Sequence, residues 1–129
     1  MAREDYKATV IFSYKEISAR EKLAYKDFES AEKLNSLVSA DTKFPIKVTN
    51  VLEVAVHNEH SKQNKEYAVY LFVTPDTVYR SGSETLFNSV CDGLMDLDEI
   101  GENTDEVDFV VYRVKSNNYD GDFLKAKLV

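Results

Sequence analysis

Residues 44–58, FPIKVTNVLEVAVHN, constrain the fold more than any other stretch of the chain. Ile46, Val48, Leu52, Val54 and Val56 share one parity, and Lys47, Thr49, Glu53 and His57 share the other. A period of two marks a strand with one face in a core and the other toward water, so the run is expected to be one long strand. After the polar connector EHSKQNKE (59–66), YAVYLFVTP (67–75) reads as a second strand. It is apolar or aromatic on both faces and therefore central. Asp76 follows Pro75 at a tight turn, and TVYRS (77–81) is a short third strand.

The pattern then changes period. Leu86, Phe87, Val90, Cys91, Leu94 and Leu97 recur at i, i+3 and i+4, which predicts a helix from about Glu84 to Leu97. Ser81 and Glu84 have capping-box spacing, Ser83 is an alternative N-cap, and Gly101 is the expected terminator. Two further strands follow, VDFVVYRVK (107–115) and FLKAKLV (123–129), joined by a turn with Asp120 and Gly121 at its tip. In the last strand Leu124, Ala126 and Leu128 fall on one face, and Phe123, Lys125 and Lys127 on the other. Upstream, ATVIFSY (8–14) has the composition of an extra strand. Ser18 and Glu21 fit a capping box, Ser30 is placed to cap a second short helix bearing Leu34 and Leu37, and Leu23 and Phe28 are core candidates.

The chain has 129 residues, which suits a single domain. It is expected to be mainly β with one or more helices, residues 1–43 forming an N-terminal extension. From residue 44 the order is strand, strand, strand, helix, strand, strand. A helix between the third and fourth of five antiparallel strands is the element order of an OB-fold barrel. In VTNVLEVAVHN, EYAVYLFVTPDTVYRSGSETLFNSV and DFVVYRVKSNNYDGDFLKAKLV the chain resembles the small OB-fold single-stranded-DNA-binding proteins of Gram-positive phages and mobile elements. The resemblance covers residues 44–129. It implies a five-stranded antiparallel barrel that binds single-stranded DNA in replication or recombination, with no enzymatic activity and no cofactor.

The net charge of −7 argues against a polyanion partner until its distribution is considered. Glu84, Asp92, Asp96, Asp98, Glu99, Glu102, Asp105, Glu106 and Asp108 follow one another with no Lys or Arg between them, so this segment carries −9 and the rest of the chain +2. Local potential, not net charge, governs contact with a polyanion. The acidic stretch itself suggests a protein-docking surface through Asp98, Glu99, Glu102 and Asp105. In a competing reading it imitates nucleic acid and inhibits a nuclease or another DNA-binding enzyme.

Sequence-tolerant single-strand binders stack bases on aromatic rings and track phosphates with Lys and Arg. The candidates are Tyr70, Phe72, Tyr79, Arg80, Tyr112, Arg113, Lys115, Tyr119, Phe123, Lys125 and Lys127. If the last two strands form a hairpin, Arg113, Lys115, Lys125 and Lys127 are expected to make one basic stripe, with Tyr119 closing over a base at the tip. Tyr70, Phe72 and Tyr112 compete with a role in the core.

Other motifs carry less. HNEH (57–60) offers two imidazoles and a carboxylate but no further Cys or His to complete a zinc site. DLDEIGENTDEV has Asp at positions 1 and 3 and Gly at 6, but Ile100 and Val107 stand where a calcium loop needs oxygen ligands. Ser81, Gly82 and Ser83 suit a phosphate cradle or, more simply, a helix cap. Cys91, the single cysteine, lies on the helix stripe and reads as packing; with no disulfide, no long apolar run and no leader-like core, a cytoplasmic setting without membrane contact is expected. Homo-oligomers stay open on the sequence.

Overall fold

The alternating run forms β structure, but it breaks at Thr49 into two strands that belong to different sheets. The computed structural model describes residues 6–39, 41–62, 64–115 and 122–129. Its elements are β1 (Tyr6–Ser13), α1 (Ala19–Tyr25), β2 (Glu32–Lys33), α2 (Leu34–Leu37), β3 (Phe44–Val48), β4 (Asn50–Asn58), β5 (Glu66–Val73), β6 (Val78–Ser81), α3 (Glu84–Glu99), β7 (Val107–Lys115) and β8 (Asp122–Leu128). Sheet A has the order β1-β4-β5-β6-β2, and sheet B the order β3-β7-β8.

The break has a visible cause. Thr49 donates both its N–H (2.7 Å) and its hydroxyl (3.1 Å) to the Val73 carbonyl, which closes the end of the β4–β5 ladder. The buried Asn50 side chain then accepts from the N–H groups of Lys15 (2.9 Å) and Val51 (2.8 Å) and donates to the Lys15 carbonyl (3.2 Å). The ribbon turns over here. Ile46 and Val48 face the same core as Val51, whereas Leu52, Val54 and Val56 face a second core on the other side of sheet A. Residues of one parity therefore serve two cores, where the sequence pattern suggests one.

The first core lies between sheet A, sheet B and α3, with Phe72, Phe109, Leu86, Leu94 and Leu124 fully buried in it and Leu34 and Val38 entering from α2. The second is roofed by the N-terminal segment, whose Phe28 is buried and whose Ile17 and Tyr25 pack against Leu52, Val54, Val56 and Leu71. The Ser18–Glu21 capping box of α1 is present in full. Leu23, read as core, is 64% exposed, and Ser30 does not cap α2.

A closed five-stranded barrel is not what forms. The outer edge of β6 is occupied by β2, through parallel partners Glu32↔Tyr79 and Lys33↔Arg80, and Arg80 Nε donates to the Ala31 carbonyl at 2.8 Å. Among the described residues β6 pairs with β5 and β2, and β8 with β7, so two sheets form.

Helix α3 follows the expected stripe: Leu86, Phe87, Val90, Cys91 and Leu94 are buried. Ser83 is its N-cap, accepting from Leu86 N–H at 3.2 Å. Ser81 is instead buried, donating to Asn35 Oδ1 at 2.7 Å. At the C-terminus Gly101 N–H bonds to Asp98 O (3.1 Å) and Glu102 N–H to Leu97 O (2.9 Å), a Schellman arrangement in which Gly101 adopts φ +82°. Helix and sheet B meet closely at Gly93, where a Cβ would lie 2.7 Å from the ring of the fully buried Phe109.

Two outcomes follow. Gly93→Ala gains helix propensity of about 1 kcal/mol but overpacks Phe109, which costs about 1–3 kcal/mol. The denaturation midpoint should fall, and a rise would show that the ring yields freely. Asn50→Ala orphans the Lys15 and Val51 N–H groups, each costing about 1–3 kcal/mol when buried. Equilibrium unfolding should register a loss of at least about 1 kcal/mol, and an unchanged midpoint would contradict the clamp.

Candidate nucleic-acid interface

Core packing decides which side chains of the β7–β8 hairpin face water. Phe109, Val111, Leu124 and Ala126 are buried, so their faces of both strands point inward. The register pairs Val110 with Lys127, Tyr112 with Lys125 and Val114 with Phe123. Directly opposed residues share a face, and these six lie on the outer one. β3 extends that face through Pro45 opposite Val110 and Lys47 opposite Asp108.

Among the described residues, the strands of sheet B thus place Lys47, Lys125 and Lys127, the rings of Tyr112 and Phe123, and the carboxylate of Asp108 on the outer face, with Glu106 beside Lys47 at its border. Tyr112, Phe123 and Lys125 are half-buried, Lys47 and Lys127 exposed. Lys127 Nζ sits 5.6 Å from the Tyr112 ring centroid, a cation–π distance that keeps the ammonium over the ring without neutralising it. Lys47 escaped the sequence reading. Its parity is visible there, but the pairing of β3 with β7 that brings it beside the hairpin is not.

The four-cation stripe does not form. Arg113 opposes Leu124 and, with Lys115, belongs to the inner face, opposite Lys125 and Lys127. Arg113 Nε donates to the Val38 carbonyl at 2.6 Å and its Nη2 to the Asn35 carbonyl, so the guanidinium fastens α2 to β7; Lys115 is exposed at the strand end. Tyr70 and Phe72 are core residues: Tyr70 stacks on Phe87 with centroids 4.5 Å apart, and Phe72 is fully buried. Neither presents a face to a base. Tyr79 makes an edge contact with Phe44 at 5.7 Å and lines a cleft of about 410 Å³ with Pro45, Lys47, Pro75 and the acidic Asp76 and Glu106, next to the outer face of sheet B. Arg80 is half-buried on β6 of sheet A, opposite Lys33 of β2, and takes no part in the face of sheet B. Tyr119 lies outside the described residues.

The acidic segment is anchored from the N-terminal side. Asp98 accepts from the Tyr14 hydroxyl and from Thr104 Oγ1 (3.1 Å), while Lys15 Nζ donates to the Thr104 carbonyl and lies 3.9 Å from Asp105 Oδ1. Burial, and then the bond to Asp98, push the Tyr14 hydroxyl up to about 12, so it stays a donor at neutral pH. Glu99 and Glu102 are exposed. Of the four carboxylates expected to dock a partner, two are thus held by the protein's own residues.

His57 bonds Glu66 through Nδ1 and Glu59 through Nε2 (2.8 Å), and Lys65 Nζ lies 3.0 Å from Glu59 Oε2. This ties the β4–β5 connection together. Among the described residues no three His, Cys, Asp or Glu side chains converge as a metal site would require. Cys91 is buried, and burial followed by the Asp92 and Glu53 charges pushes its thiol up to about 11, far from an activated nucleophile. No described helix is long and apolar enough to cross a membrane. Comparison with protein-family models finds no match, and comparisons with curated proteins and with solved structures likewise return none.

The His57 pairs give a pH dependence of definite sign. The bonds to Glu66 and Glu59 raise the imidazole above its ordinary 6.5, so they are fully present below that value and fade as pH rises through the raised one. An NMR titration of the ring should show a midpoint above 6.5, moving down in Glu66→Gln. A midpoint at or below the ordinary value would contradict the pairing.

Proposed function

We propose that this chain is a non-enzymatic binder of single-stranded DNA, engaging it on the outer face of sheet B. The observation that carries the reading is the convergence there of Tyr112 and Phe123 with Lys47, Lys125 and Lys127, the carboxylates of Asp108 and Glu106 lying toward the Lys47 end. Each base stacked on an aromatic ring contributes about 1–3 kcal/mol, so two rings provide useful affinity while the lysines offset phosphate charge. Lys127, resting on Tyr112, is placed to exchange the ring for a phosphate when a base arrives.

Connectivity supports the reading. The β3–β4 run pairs antiparallel with β7 at its first half and with β5 at its second; β5 pairs with β6, α3 follows, and β7 pairs with β8. We read that order as related to the OB element order, with β2 rather than β8 beside β6. One face of sheet A is covered by the N-terminal segment, and the outer face of sheet B carries the aromatic and basic side chains named above. The acidic flank then serves replication or recombination partners in the phage or mobile-element setting that the resemblance implies.

The competing reading, an acidic mimic that inhibits a DNA-binding enzyme, has one observation in its favour. The last turn of α3 carries carboxylates and no basic residue, against the helix dipole. Such an arrangement costs stability, which makes sense if the charge is used.

Fluorescence-anisotropy titrations with single- and double-stranded oligonucleotides across a salt series separate the two. Single strands should bind more tightly. Replacing Lys125 and Lys127 by Ala should reduce the log–log salt slope by about 0.7 per lost contact. Neutralising Asp96, Glu99 and Glu102 should leave single-strand affinity level or raised, since none of them anchors Lys15 or Tyr14. No single-strand binding by the unmodified protein, or an unchanged slope in the folded lysine variant, would end the proposal.

A further inference from the structure

The β6–α3 junction holds a concavity that the face of sheet B does not use. It measures about 230 Å³ and is lined by Lys33, Asn35, Val69, Arg80, Ser81 and Gly82. Lys33 comes from the N-terminal part of the chain and is the register partner of Arg80 on the parallel strands β2 and β6. Two like charges set side by side on paired strands repel each other. Among the described residues neither cation has a carboxylate partner. Arg80 is held by its Nε bond to the Ala31 carbonyl, and its terminal nitrogens make no hydrogen bond among the described residues. Its guanidinium is therefore fixed at one end and available at the other.

The neighbouring carboxylates stand apart from this pair. Glu32 is the register partner of Tyr79 and alternates to the other face of β2, and Glu84 opens α3 without lining the concavity. The Ser81 hydroxyl is already engaged, donating to Asn35 Oδ1 and accepting from Ser83 N–H, so recognition rests on the cations. Above Gly82 the space is open: a Cβ there would meet nothing within 4 Å.

We propose that this concavity is a binding site for a phosphate dianion, either inorganic phosphate or a phosphate monoester. A dianion relieves the repulsion of Lys33 and Arg80 together, and the free edge of a guanidinium matches two phosphate oxygens. The volume is below the roughly 300–1,000 Å³ of pockets that enclose whole drug-sized ligands, which suits one phosphate group with little of its substituent. The same chemistry is offered by the terminal phosphate of a nucleic-acid strand and by free phosphate or a mononucleotide. The site lies on sheet A and stands without the reading of sheet B.

The test is an amide-resolved NMR titration with inorganic phosphate, ionic strength held constant with chloride. Saturable shifts are expected at Lys33, Arg80 and Gly82. Lys33→Gln should weaken binding at least tenfold. Gly82→Val, which adds bulk at a lining position with open space above it, should weaken binding with the fold intact. Absence of saturable shifts, or shifts of equal affinity in both variants, would overturn the site. A second arm compares oligonucleotides bearing a 5′-phosphate with 5′-hydroxyl ones. Tighter binding through the phosphate, lost in Lys33→Gln, supports the site with a strand end as ligand. Phosphate binding without that gain supports it with a free phosphate source. The Lys125 and Lys127 variants should leave the phosphate titration unchanged, so the two proposals fail separately.

Discussion

The reversal of the ribbon at Thr49 and Asn50 is the constraint on which the other features depend. A strand that ran straight from Phe44 to Asn58 would keep Ile46, Val48, Leu52, Val54 and Val56 on one side. The turnover divides them, so one side of sheet A packs against α3 and sheet B while the other needs its own cover. The Asn50 amide holds the reversal by bonding both its own strand and the chain leaving β1. Because Lys15 is fixed there, its ammonium reaches the loop after α3, and Tyr14 beside it reaches Asp98. One buried side chain thus links the sheet junction to the acidic flank.

Helix α3 is the second organising element. It touches β8, β7 and β4, and its close approach to sheet B is possible because position 93 has no Cβ to collide with Phe109. Ser89 adds a polar tie, its Oγ accepting the Ala126 N–H of β8 at 3.0 Å. With Phe109, Val111, Leu124 and Ala126 committed to this contact, the outward set of Tyr112, Phe123, Lys125 and Lys127 follows without further instruction.

Local signals were legible in the sequence. The α3 stripe, its Gly101 terminator and the Ser18–Glu21 box are all set within one or two turns of chain, so spacing suffices to find them; for the α3 cap spacing offers Ser81 with Glu84 as well as Ser83, and Ser83 is the one that caps. The outward set on β8 was legible for the same reason. Contacts between distant segments were not. Nothing in the two residues Glu32 and Lys33 announces a strand, yet they pair with β6 at the edge of sheet A. The stripe of four cations failed on register: parity places Arg113 with Lys115 and Lys125 with Lys127, but only the partner Tyr112↔Lys125 reveals that the pairs face opposite ways. Tyr70 and Phe72 were ambiguous because a central strand is apolar on both faces, and ring burial then depends on which layer lies above each.

Sheet B also acts as a partition between opposite charges. Lysines occupy its outer side, and behind it runs a helix whose ionised residues are all carboxylates. The separation, roughly the 10 Å between packed layers, is similar to the Debye length of about 8 Å at physiological ionic strength. A charged body approaching the outer side therefore meets the lysine field first, with the carboxylates behind it largely screened. Approached from the helix side, the same molecule is an anion. A protein of net charge −7 consequently has an electrical orientation, and encounters are sorted by the direction of approach before any side chain touches.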